Sequence, residues 1–219
     1  MDTNKQINRR QFLKTVGVTL GAAVVGGAAQ WALNEPEIQF PQESFGKEQT
    51  MQKILVAYAS KCGSTAEIAA AVGSTLALKG FPVDVISAHL VKDLNSYPIV
   101  VLGTALRMEK PIPEMSDFVK KYRTELQNKT LACFSAGVYM RSDTPENREK
   151  TMGFLTTMLS QLPPPINIGL FGGKVDLQKL SPFWRLLVSQ DKSSLMREGD
   201  GRDWTVINAW TQELSVQLA

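Results

Sequence analysis

The chain has 219 residues, 43% of them hydrophobic and 21% charged, and a formal net charge of +3. That is globular composition, with apolar residues for one full core and not clearly for two. No basic run interleaved with aromatics favours nucleic acid; the single histidine, His89, rules out a histidine-rich metal site; and two cysteines, Cys62 and Cys133, are too few for a disulfide framework. His89 reads as a surface or loop residue and the cysteines as unpaired thiols.

The first fifty residues do not read as part of the fold. Asn8-Arg-Arg-Gln-Phe-Leu-Lys14 precedes nineteen uncharged residues, Thr15 to Leu33, rich in alanine and including four glycines. A charged segment, an apolar one and then a polar tail is the layout of an export signal. The paired Arg9 and Arg10 followed by Phe-Leu-Lys resemble the twin-arginine signal. The resemblance implies export across the cytoplasmic membrane by the twin-arginine machinery, folded and with any cofactor already inserted, to a periplasmic or other extracytoplasmic site. Gly27-Ala-Ala29 offers small residues for cleavage; uncleaved, the apolar stretch at about 1.5 Å per residue reaches roughly 28 Å, enough for an anchor. Residues 1–33 are thus expected to be signal or anchor, 34–50, with Pro36 and Pro41, a linker, and 51–219 the folded domain.

That domain opens with the apolar run Ile54 to Ala59, a strand, which breaks at Ser60-Lys-Cys-Gly-Ser-Thr65. Such a hydroxyl- and glycine-rich turn at the positive end of a helix suits a phosphate; a plain strand-to-helix turn with Ser/Thr capping is the bland reading. Ala66 to Lys79 predicts a helix stopped by Gly80. Phe81 to Ile86 is a short strand, and Pro98 to Gly103 a strand apolar enough to be buried on both faces. Thr104-Ala-Leu-Arg-Met108 is expected as a second turn, followed by an amphipathic helix from Pro111 to Gln127. Thr130 to Ser135 is the fourth strand and runs into Ser135-Ala-Gly-Val-Tyr139. A helix from Pro145 to Gln161, a stop at Pro163-Pro-Pro165 and a fifth strand from Ile166 to Phe171 complete the alternation.

Strands alternating with helices at this spacing predict an α/β fold, a doubly wound parallel sheet with helices on both faces. Ligands of such sheets bind at the carboxyl ends of the strands, where three turns fall: 60–65, 104–108 and 135–139. The pattern then breaks. Residues 174–202 form a long insertion whose apolar part, Leu177 to Val188, carries Lys179 and Arg185. It reads either as a cap on the sheet edge or as a surface for a membrane or a hydrophobic substrate. Asp203 is the expected N-cap of the last helix.

With these turns placed, the chain resembles the flavodoxin family over roughly residues 53–218. Ser60 to Thr65 match that family's phosphate loop, with Cys62 in place of its middle hydroxyl. The resemblance implies a flavodoxin-like five-stranded sheet of order 2-1-3-4-5 and FMN as cofactor; nothing resembles the glycine fingerprint of adenine dinucleotides. It further implies that Ser60, Lys61, Cys62, Gly63, Ser64 and Thr65 hold the phosphate. Thr104, Ala105, Leu106, Arg107 and Met108 on one side, and Ser135, Ala136, Gly137, Val138 and Tyr139 on the other, would bracket the isoalloxazine ring. Arg107 is the one candidate catalytic residue, set against the reading of a solvated loop arginine; Tyr139 either borders the ring or simply packs.

The turn at 104–108 running into Pro113-Glu114, the segment Leu170 to Asp176 before the insertion, and Asp203-Trp204 look more narrowly like the menaquinone-dependent protoporphyrinogen dehydrogenases of flavodoxin type. Those enzymes work on the cytoplasmic face, whereas this chain carries an export signal. Two functions are therefore expected: an FMN oxidoreductase passing electrons from an apolar organic donor to a quinone, in contact with a membrane surface, or an exported carrier between redox protein partners. A flavin-less scaffold of the same fold is the bland alternative.

Overall fold

The computed structural model describes residues 42–45, 51–190 and 196–219. The chain divides into two compact units, Glu37–Asp176 with Ser193–Ala219, and Met1–Pro36 with Leu177–Lys192. The expected signal at 1–33 lies outside the described residues.

In the larger unit five strands run parallel: β2 (Ile54–Ala59), β3 (Val83–Ser87), β4 (Ile99–Arg107), β6 (Thr130–Gly137) and β7 (Asn167–Gly172). Their order is β3-β2-β4-β6-β7, the expected 2-1-3-4-5. Two additions extend that sheet. Within the segment read as a linker, β1 (Glu43–Phe45) pairs antiparallel with β3 at the edge, and β5 (Lys110–Pro111) folds back on β4. β1 has only three residues, too few to show a period of two in the sequence.

All six residues of β2 are buried, because helices cover both faces. On one face Ile54, Val56, Val101 and Phe134 pack with α1 (Ser64–Leu78) and the last helix, Trp204–Leu218. On the other, Leu55, Leu102 and Leu131 pack with α2 (Pro113–Lys121) and the helix Pro145–Leu159. The expected helix 111–127 is shorter and broken: Pro111 belongs to β5, and Tyr122, whose hydroxyl donates to the Val91 carbonyl at 2.8 Å, separates α2 from the single turn Arg123–Leu126.

The expected turn at 104–108 is strand as far as Arg107. The chain reverses instead at Met108 and Glu109, which have φ of 50° and 62° between the paired Arg107 and Lys110. Two consecutive positive φ values define the tight hairpin turn that Asn-Gly favours; Met-Glu gives no such signal and is strained there.

The insertion leaves and re-enters the larger unit on a two-stranded ribbon, β8 (Lys174–Val175) against β9 (Gly199–Asp200). Within the smaller unit a 3-10 turn at Leu177–Lys179 precedes the helix Pro182–Gln190. Arg185 donates to the Leu177 carbonyl at 2.9 Å and so closes that turn, a local role that sequence pattern did not suggest.

Asp84, on β3, accepts hydrogen bonds from Ser44 of β1 at 2.7 Å and from Tyr97 at 2.6 Å, and pairs with Lys53 at 2.7 Å. Burial pushes its carboxyl up, but the bonds from Lys53, Tyr97 and Ser44 and the Lys53 charge outweigh burial and hold it below the usual carboxylate range. A depressed folded-state pKa means stability that is full above about pH 4.5 and lost as the pH falls through the folded value. D84N is expected to cost about 2 kcal/mol at pH 7 in chemical denaturation and progressively less in acid; an equal cost at pH 7 and at about pH 2.5 would contradict the ionised cluster. M108N/E109G is expected to gain about 1–2 kcal/mol, since it relieves the strained turn; an unchanged denaturation midpoint would remove the strain.

Candidate functional site

The parallel register brings the expected ends together at one edge of the sheet. Ala59 pairs with Thr104, Thr104 with Ser135, Ala105 with Ala136, and Gly137 with Gly172. The loop 60–65 comes directly after β2, so all three segments read as site residues share the carboxyl edge of the central strands.

Gly63 takes φ 93°, a left-handed conformation open to glycine, and is the N-cap of α1. No side chain caps that helix; the Ser60 hydroxyl instead accepts from the Gly63 amide at 3.1 Å, inside the loop. The ordinary Ser/Thr cap is thus absent, and the first amides of α1, at the positive end of the helix, keep their hydrogen-bonding capacity for an external acceptor. Thr65, in the first turn, is fully buried, and its Oγ1 has no hydrogen-bond partner among the described residues. Ser135, at the end of β6, is equally buried and its Oγ is likewise unsatisfied. Buried hydroxyls are normally paired, and leaving one unpaired costs about 1–3 kcal/mol. Thr104, which pairs with Ala59 and Ser135 in the sheet, bonds its own strand, Oγ1 to the Ala105 carbonyl at 3.0 Å.

Cys62 is half-buried in the loop and Cys133 lies inside β6; neither forms a disulfide. Burial pushes the Cys133 thiol up to about 12, which makes it chemically quiet. His89 is exposed and shares a hydrogen bond with the Ser87 hydroxyl at 2.9 Å, just beyond the end of β3.

Charge joins the first two segments. Lys61 Nζ lies 2.5 Å from Glu114 Oε1, in the first turn of α2. Burial pushes the Glu114 carboxyl up, but Lys61, the residue's own amide and the Arg107 charge more than offset it, so the group stays ionised. Arg107, at the end of β4, is half-buried, and its charge acts on Glu114. The third segment meets the second across the hairpin tip: the Tyr139 hydroxyl donates to Glu109 Oε1 at 3.3 Å, and the Tyr139 ring packs edge-on against Phe154 at 5.3 Å. Leu106 approaches the backbone of Gly137 closely enough to meet a side chain placed there.

Two elements of the site were missed by sequence reasoning. Glu114 enters the sequence reading only with Pro113, as part of the narrower resemblance, and a carboxylate in a first helical turn is also what plain dipole complementarity would place there. Arg202 lay in a polar stretch without a motif, yet its side chain is only 5% exposed. It holds Asp200 at 2.6 Å and Glu67 of α1 at 2.6 Å, stacks over Trp204 at 4.6 Å, and so pins the returning end of the insertion to the helix behind the loop. The same return packs against β7, where a side chain on Gly172 would collide with the Gly201 carbonyl. Beside it, Met140, Arg141, Asp143 and Asp203 border a shallow cleft of about 200 Å³, separate from the loop 60–65.

The sequence model of the flavodoxin domain matches residues 55–200. Among curated proteins, the chain is 26% identical over 165 residues to the protoporphyrinogen IX dehydrogenase [quinone] of Escherichia coli K12, covering 73% of this chain and 90% of the relative. Among solved structures, a flavodoxin of Streptococcus pneumonia TIGR4 is 17% identical with a TM-score of 0.46, over 75% of this chain and 99% of the other. A short-chain flavodoxin associated with a bacterial microcompartment is 15% identical with a TM-score of 0.49, over 77% and 100%. The domain match spans well over half of the chain and includes all three strand ends, so this protein belongs to the flavodoxin family.

Proposed function

We propose that the three strand ends bind FMN and that the protein is an FMN-dependent oxidoreductase passing electrons from an apolar organic donor to a quinone. One observation carries the cofactor: a buried, unpartnered Thr65 hydroxyl beside an uncapped helix N-terminus, with a second such hydroxyl on Ser135 at the same edge. An anion bearing several acceptor oxygens fits the first, and a ligand long enough to reach the second spans the sheet edge. The amides of Ser64 and Thr65, with their hydroxyls and that of Ser60, are the donors for the phosphate. Residues 104–108 and 135–139 supply backbone groups for the ring, and Arg107 a positive charge toward it. When bound, FMN supplies one- and two-electron transfer, tuned by those backbone groups and charges.

The quinone and the apolar donor are supported by the 26% identity to a quinone-linked dehydrogenase and by the helix Pro182–Gln190, where Leu186 is 53% exposed. That helix is proposed to meet a membrane surface. The twin-arginine stretch supports export by that machinery to an extracytoplasmic site, and a fusion carrying R9K/R10K is expected to stay in the cytoplasm; unchanged export would remove that part. A carrier between redox proteins is the second reading, favoured by the family match itself, which is to the flavodoxin domain.

The full chain is expected to purify yellow or to take up FMN with quenching of flavin fluorescence. T65V should stabilise the FMN-free protein by about 1 kcal/mol, by removing an orphaned hydroxyl, and weaken FMN about tenfold with little effect on riboflavin. A colourless protein that does not take up FMN would overturn the cofactor. Quinone reduction dependent on protoporphyrinogen is the expected activity; no turnover, with rapid electron exchange to a protein partner, would favour the carrier.

A further inference from the structure

Glu114 stands between the two ends of the proposed flavin site. Its Oε1 faces Lys61 in the loop that would hold the phosphate, and the charge of Arg107, on the strand end that would border the ring, acts on the same carboxylate. The other oxygen, Oε2, is buried and has no hydrogen-bond partner among the described residues. A carboxylate only accepts, so what Oε2 lacks is a donor, and an ionised oxygen shielded from water without one is costly.

The parts of FMN differ in what they offer such an oxygen. The phosphate offers acceptor oxygens and no donor. The ring offers one N–H, at the edge for which backbone carbonyls of the two bracketing segments compete. The ribityl chain, which joins phosphate to ring as Glu114 joins Lys61 to Arg107, carries hydroxyl donors. We infer that Glu114 Oε2 accepts a hydrogen bond from a ribityl hydroxyl, which makes Glu114 a binding residue for the polyol chain; the inference rests on the FMN reading. Lys61 then has two tasks. It neutralises the carboxylate, so that the phosphate end is not repelled, and it engages Oε1, which leaves Oε2 as the oxygen without a donor.

The test compares three flavins on the FMN-free full chain by fluorescence quenching: FMN, riboflavin, and lumiflavin, which has the ring but no ribityl chain. Glu114→Ala is expected to weaken FMN and riboflavin each about tenfold, since a hydrogen bond to a charged acceptor is lost, and lumiflavin less than about twofold. Lumiflavin also reports whether the variant still forms the ring site. If Glu114→Ala does not fold, Glu114→Gln, which keeps the size but not the charge, is expected to weaken the same two ligands by a smaller factor. Equal weakening of lumiflavin would overturn the assignment, as would unchanged affinities. So would tighter FMN with unchanged riboflavin, which would mark Glu114 as a phosphate-repelling charge only. Wild-type protein that binds no FMN would overturn the cofactor reading, whereas wild-type binding with an insensitive Glu114 variant overturns the ribityl contact alone.

Discussion

The parallel ladder of Ile54–Ala59, Ile99–Arg107 and Thr130–Gly137 is buried on both faces, so these strands satisfy their backbone groups only by pairing with one another. All three stop at the same edge. The loop after each strand must there provide for the polar groups that the ladder no longer serves. Behind β2 that provision is incomplete: Gly63 turns the chain left-handed into α1 without a capping side chain, and Thr65 buries a hydroxyl with no partner among the described residues. Ser135 repeats the omission at the end of β6. Two buried hydroxyls without partners at one edge are the observation on which the proposed ligand rests.

The surroundings of that edge are held by charge as much as by packing. Glu114 ties α2 to the loop through Lys61, and Arg202 ties the return of the insertion to the first turn of α1 through Glu67. Both contacts join segments far apart in the chain to the loop or to the helix after it. They constrain the loop from two sides. The strained turn at Met108–Glu109, bridged to Tyr139 through Glu109, does the same for the second and third segments. Preorganisation of this kind lowers the ordering cost of binding.

The parallel order was legible in the sequence because its causes are local and repeated: β2 and β4 begin as unbroken apolar runs, and helical segments alternate with the strands. The turn at 60–65 between strand and helix was legible for a similar reason, whereas a plain Ser/Thr-capped turn has the same residues, so the missing cap shows only in the structure. The hairpin was not. A turn that requires positive φ announces itself through Asn or Gly, and Met108-Glu109 contradicts that chemistry, so the strand was expected to end at Gly103 and instead runs to Arg107. Nor was β1, whose three residues are placed by pairing with β3, remote in the sequence. Glu114 and Arg202 belong to the same class: their partners Lys61 and Glu67 are remote in sequence, and no periodicity links them.

One ligand, FMN, is proposed to occupy all three strand ends at once. Amide hydrogen exchange of the full chain with and without FMN addresses this segment by segment. Slowed exchange is expected in 60–66, 104–110 and 135–139 together, with the strand interiors already protected and unchanged. Protection confined to the cleft around Arg141 and Asp203, or absent from the loop 60–66, would contradict it.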